Sequence, residues 1–187
     1  NVIWFEIDPC YVYHTLNAYD DGDEVIVEGC RMVGSMAKGM EKPPTPVPYR
    51  WRLNPETGNA SESQIDDLGI DFPVVPDELV GQQHRFGYFA EFGKAAPTVE
   101  GFHKYDMVTG HRQSHMLKNG RTGSEARFVP SENSTSEDDG FLLSYVYDPS
   151  QNSSELVILN AANLSDEPLA QIHLGTRVPA GFHGSWI

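Results

Sequence analysis

The chain has 187 residues, 39% of them hydrophobic, which is enough for one core-bearing domain. Its 27 acidic residues against 13 basic ones give a formal net charge of -14 at pH 7, a balance that repels phosphate backbones and anionic bilayer surfaces and argues against nucleic-acid binding. No apolar run approaches the roughly 20 residues that a membrane-spanning helix needs.

The chain opens on NVIWFEIDPCYVYH, without a basic n-region or a small-residue cleavage site, so no targeting signal is expected in these residues. It begins inside an apolar, β-rich run and reads as a cut end. Strands are expected at 2–7, 11–17 and 24–32, the last two forming a hairpin that turns at DDGD. With Asp21 and Gly22 as the turn residues, Cys10 faces Val33 and Cys30 faces Tyr13. That register disfavours a disulfide, and two unpaired thiols point to a reducing, cytoplasmic setting. Next comes a Pro- and Met-rich loop, 35–48, whose Met36 and Met40 suit either a mobile surface loop or contact with a greasy partner or membrane surface. Further strands are expected at 49–53, 86–92, 101–106, 126–129, 141–148, 155–160 and 171–174. The polar, acidic stretch 131–140 reads as a solvated connection.

Helical periodicity is nearly absent: with 17 glycines and 13 prolines, the apolar stretches are short, β-branched or aromatic, and bounded by turn residues. The fold class is therefore all-β. One hairpin pattern recurs, as RLNPETG from Arg52, KYDMVTG from Lys104 and, loosened, VYDPSQNSSELVIL from Val146. The Asp or Asn can bond its own downstream backbone, and the Gly accepts the positive φ that closes the turn. The spacing suits a β-propeller blade of roughly 40 to 50 residues, so about three blades fit. A β-sandwich competes with that reading.

Most of the seven histidines call for no function. His111 and His115 lie on the strand after a turn, about 13 Å apart and too far to share a metal; both read as surface residues. His84, His103 and His173 sit singly near charged or strand-edge positions. His14 differs, because it lies in an aromatic strand that should be buried and is followed by Asn17, Tyr19 and a double-Asp turn.

The stretches YVYHTLNAYDDGDEVIVEGCR, FVPSENSTSEDDGFLLSYVYD, LVILNAANLS and the terminal VPAGFHGSWI occur in this order. Together they resemble the carotenoid cleavage oxygenase family, also called the retinal pigment epithelial membrane protein family, which includes stilbene-cleaving dioxygenases and the retinoid isomerase of the eye. The resemblance runs along the whole chain. It implies a seven-bladed β-propeller with a non-haem iron on its axis, held by four histidines from four blades. This chain would cover about the last three blades, with 1–187 the C-terminal part of a single propeller domain. His14 matches the pattern's third ligand and His183 its last. Asp71 in GIDFPVVP and Glu125 in SEARFVP match the carboxylates that accept the other ring N–H of ligand histidines and fix their tautomer. The usual residue at the first of these positions is Glu; Asp71, one methylene shorter, is expected to reach His14 only through a shifted backbone or a water.

The first two ligands of the pattern would precede Asn1, leaving half of the site here and the isolated chain inactive. The implied cofactor is Fe(II), which suits neutral imidazole donors and keeps positions open for O2. The implied reaction is oxidative cleavage of a carbon–carbon double bond in a carotenoid, apocarotenoid or stilbene-like substrate to two carbonyl products. The implied partners are that apolar conjugated molecule and O2, peripheral membrane contact in the parent protein, and either the N-terminal part of the propeller or a second copy completing the site by two-fold symmetry. Phe182 either lines a substrate tunnel or packs as core. No G-x-S-x-G, P-loop or CxxC supports nucleophilic catalysis. The alternative is a catalytically inert β-module with an incomplete metal site, acting only in binding or assembly, since two ligands hold a metal far more weakly than four.

Overall fold

The computed structural model describes residues 1–34, 44–93, 98–181 and 183–187. Three antiparallel units follow one another along the chain. The first comprises β1 (Tyr11–Asp21), β2 (Glu24–Met32), β3 (Val47–Leu53) and β4 (Ala60–Gln64), paired in that order. The second comprises β5 (Ile70–Val74), β6 (Phe86–Phe92), β7 (Val99–Asp106) and β8 (Arg112–Met116). The two-residue β9 (Thr122–Gly123) then leads to the third, formed by β10 (Arg127–Pro130), β11 (Gly140–Asp148), β12 (Ser153–Asn160) and β13 (Ala170–His173). Through Gly123, β9 pairs with both β7 and β11 and merges the last two units into one nine-stranded sheet. Each unit is a consecutive four-stranded meander, which is the construction of a propeller blade; the sandwich alternative falls with it.

The second unit is packed on both faces, which explains why β6 (FGYFAEF) is apolar without alternation. Tyr88, Ala90 and Phe102 join Phe128, Leu142, Val146 and Val157 of the third unit in one core cluster. Phe89 and Tyr105, on the same two strands, join Leu16 and Cys30 of the first unit in another. Buried polar groups tie the units further. Glu28 is fully buried and accepts from Arg50 Nε at 2.6 Å, while Arg50 also donates to the Met107 carbonyl at 2.8 Å. The Nε2 of His84 lies 3.1 Å from the other Glu28 oxygen.

Several expectations are corrected. Residues 2–7 form no strand; the segment instead runs without a ladder partner until Asp8, whose N–H donates to Glu62 Oε1 at 2.7 Å. The first hairpin turns at Gly22 and Asp23, one residue later than expected, because Asp21 pairs with Glu24 and Gly22 takes a φ of 64°. Two irregularities in β1 then move the register back, so Cys30 still lies across from Tyr13, and both cysteines are free. The 131–140 connection is not merely solvated: Glu137 accepts the backbone N–H of Arg85 and Phe86, and Asp138 accepts from the buried Lys104 Nζ at 2.6 Å. His84 and His103 are buried rather than solitary edge residues; His103 bonds Glu91 at 2.7 Å and Ser114 at 2.8 Å. His115 is half-buried, not a surface residue. Met36, Met40 and Phe182 lie outside the described residues.

Candidate metal centre

The first strands of the three units converge on one spot. His14 comes from β1, Asp71 from β5, and Glu125 from the residues that lead into β10. His14 occupies a β-bulge: Val12 pairs with Arg31 and Thr15 with Gly29, so Tyr13 and His14 stand opposite Cys30 alone. A bulge re-aims the side chains it carries. The sequence permits it here because position 29 is glycine; a Cβ there would sit 3.0 Å from the His14 carbonyl oxygen and 3.1 Å from the Thr15 Cα.

The His14 ring meets Asp71 directly, Nδ1 to Oδ1 at 2.9 Å, so no water is needed between them. The same Asp71 oxygen accepts the backbone N–H of Phe72 at 2.8 Å. Behind it, the buried Cys30 thiol also donates to Asp71. Burial pushes the Asp71 carboxyl above the usual carboxylate range, and the contacts from His14, Phe72 and Cys30 work against that rise by favouring the charged form. Burial likewise pushes the Cys30 thiol well up, and the neighbouring Asp71 charge adds to the shift.

The other imidazole arrives from the tail. Beyond β13 the chain runs back without regular structure, and Glu125 Oε2 accepts from both His183 Nδ1 at 3.1 Å and the Gly184 backbone N–H at 3.0 Å. The rings of His14 and His183 then lie 5.1 Å apart, centroid to centroid, at 74°. Carboxylates only accept, so each Nδ1 carries the proton and each Nε2 keeps its lone pair. Among the described residues, neither Nε2 has a hydrogen-bond partner. Phe72 packs against both rings, at 5.2 Å from His14 and 5.9 Å from His183, with Phe92 behind it at 5.3 Å.

Of the five site residues singled out in the sequence, the four that are described, His14, Asp71, Glu125 and His183, thus meet in one place, as two imidazole–carboxylate pairs. Among the described residues no cluster of three or more His, Cys, Asp or Glu is placed to hold a metal; the convergence is of two imidazoles, each with its carboxylate. Next to His183 lies a cavity of about 370 Å³, with Leu143, Tyr145, Leu156, Val178 and Trp186 among its lining. Sequence reasoning missed Phe72, treated Cys30 only as a disulfide candidate and gave Asn17 no task. Asn17, three residues after His14, binds the loop that links β5 to β6. The only local signal was its place in the HTLNAY motif.

The sequence matches the retinal pigment epithelial membrane protein family over residues 1–187. It is 36% identical over 199 residues to a carotenoid cleavage oxygenase of Mycobacterium tuberculosis, covering 100% of this chain and 39% of that protein. To a carotenoid 9,10(9',10')-cleavage dioxygenase of Crocus sativus it is 32% identical over 207 residues, covering 98% of this chain and 38% of the other. The chain therefore spans about two fifths of the length of these relatives. Among solved structures, the cobalt-substituted apocarotenoid oxygenase of Synechocystis superposes with a TM-score of 0.88 at 23% identity, over 98% of this chain and 40% of that one.

Proposed function

The chain belongs to the retinal pigment epithelial membrane protein family, and from that premise we propose that it is the C-terminal part of an iron-dependent dioxygenase. The enzyme would cleave a carbon–carbon double bond of a carotenoid, apocarotenoid or stilbene-like molecule to two carbonyl products. The observation that carries this reading is the pair of imidazoles 5.1 Å apart, each held at Nδ1 by a carboxylate from a different blade. Relatives named as carotenoid cleavage oxygenases support the substrate class, and a neighbour of the same fold solved in cobalt-substituted form supports a transition-metal site.

The donor set fits Fe(II). Two neutral imidazoles leave the ion's charge intact, and their Nε2 lone pairs are the free ones. His14 and His183 would be the ligands, with the remaining imidazoles supplied from outside this chain. When bound, iron would supply the activation of O2 that oxidative alkene cleavage needs. The protein's own tasks are positional. Asp71 and Glu125 lock tautomer and ring orientation and make each imidazole a better donor. Phe72 places aromatic surface against both rings, with Phe92 packed behind it. The cavity beside His183 offers largely apolar wall to an elongated hydrocarbon, from Leu143, Leu156, Val178 and Trp186, although Glu125, Arg127 and Arg177 also line it. No side chain is needed as general acid or base.

The test is incubation of the purified, iron-loaded parent protein with a panel of carotenoids, apocarotenoids and stilbenes under O2, with products identified by mass. Two carbonyl fragments from one panel member, lost in His14→Ala and His183→Ala, are the expected result. Intact substrate throughout the panel, with iron bound, would overturn it and leave the inert β-module.

A further inference from the structure

Four non-glycine residues among those described have a positive φ: Phe72 (49°), Asn119, Asn133 and Asn152. The three asparagines lie in turns, where their short polar side chains tolerate the left-handed region. Phe72 lies within a strand, and it precedes Pro73, which biases it toward extended backbone. A bulky aromatic residue held at 49° is strained, and such strain persists only where its surroundings over-determine it.

The kink lies at the break in the β5 ladder between Asp71 and Val74, where the Phe72 N–H, aimed by the backbone of Asp71, donates to Asp71 Oδ1 at 2.8 Å, the oxygen that also receives His14. The kink sets the phenyl ring against both imidazoles at once, backed by Phe92. Among the described residues, Phe72 is the only one whose ring contacts both His14 and His183. In extended backbone the ring would point elsewhere, because φ carries Cβ around the N–Cα bond, so one strained torsion places the ring that touches both imidazoles.

We infer that Phe72 is a positioning residue. Its left-handed backbone sets its ring against both imidazoles, and the ring fixes their separation and tilt. The inference rests on the metal-site reading above, and it assigns a role to a residue outside the pattern of ligands and carboxylates.

The experiment compares Phe72→Gly, Phe72→Asn and Phe72→Ala in the intact protein, with cobalt(II) as the probe metal. Glycine and asparagine accept the positive φ without the ring, whereas alanine keeps the strain and loses the ring. The expected result is that Phe72→Gly and Phe72→Asn unfold in urea at or above the midpoint of Phe72→Ala. Both should nonetheless bind cobalt at least tenfold more weakly than the unsubstituted protein and with a changed visible spectrum. A merely structural residue would let cobalt affinity follow stability. Unchanged affinity and spectrum in Phe72→Gly overturns the inference. If the unsubstituted protein binds no cobalt, or if His14→Ala and His183→Ala bind it equally well, the metal reading itself fails. Metal-free crystal structures then decide about Phe72: the imidazole separation should move away from 5.1 Å in Phe72→Gly, and an unmoved pair overturns the positioning role.

Discussion

Replacing Asn17 tests how firmly the strand that carries His14 is tied to its neighbour. Asn17 is buried, and every polar atom of its side chain is used. Nδ2 donates to the carbonyls of Leu79 and Gln82 at 3.0 and 2.9 Å and lies 3.1 Å from His84 Nδ1, while Oδ1 accepts the N–H of Gly81 and of Ala18, both at 2.9 Å. Asn17→Ala strips three loop groups of their partners. At about 1 kcal/mol net for each bond, and with water able to reach an exposed loop, the cost is about 2 to 3 kcal/mol. Asn17→Asp keeps the acceptor but turns the donor into a second oxygen facing two carbonyls and the Nδ1 lone pair of His84, whose Nε2 proton faces Glu28. It should cost more than Asn17→Ala at pH 7. The introduced carboxyl is thereby raised above its unfolded value of about 3.9, so stability is gained as pH falls toward 4 and the proton returns as a donor. Urea titrations at pH 7 and pH 4 measure both effects. Asn17→Asp as stable as the unsubstituted protein at pH 7, or less costly than Asn17→Ala, would refute the assigned bonding.

Other outcomes follow from the same structure. Glu125→Ala removes the acceptor shared by His183 and Gly184; hydrogen exchange at the Gly184 amide should speed up about tenfold, with Glu125→Gln in between. Arg85 holds the Asp106 carboxyl well below the usual carboxylate range. The folded value lies under the unfolded one, so the stabilisation is present above about pH 4 and is lost as pH falls further. Asp106→Asn should therefore cost about 1 kcal/mol at pH 7 and progressively less in acid, as urea midpoints at pH 7 and pH 3 would show. Phe102, fully buried between the second and third units, should cost about 3 to 5 kcal/mol when replaced by Ala, read by chemical denaturation.

What the sequence made legible depended on burial. The β2 and β6 segments stand out because apolar and aromatic residues crowd them, and their bounds are found to the residue. By contrast β4 (ASESQ) and β8 (RQSHM) are polar outer strands with no buried residues and thus no alternation to detect. In β5 (IDFPV), Pro73 argues against a strand that forms nevertheless, because the ladder is broken beside the proline. The hairpin turn falls one residue later than expected because Gly22 takes the first turn position with its positive φ, and the β1 bulge that aims His14 leaves no compositional mark. His14, His183, Asp71 and Glu125 were legible through motif likeness alone; nothing in their spacing predicts that residues 14 and 183 meet. Phe72 was hidden for a physical reason: the residue before a proline is expected to be extended, and a left-handed phenylalanine has no sequence signal.

The central claim is that His14 and His183 ligate one iron through Nε2. Anomalous diffraction at the iron edge, from crystals of the iron-loaded parent protein, tests it most directly. The account predicts a single strong peak within bonding distance of both Nε2 atoms, with Asp71 and Glu125 still on the Nδ1 side. A peak elsewhere, or one bonded to neither ring, would contradict it.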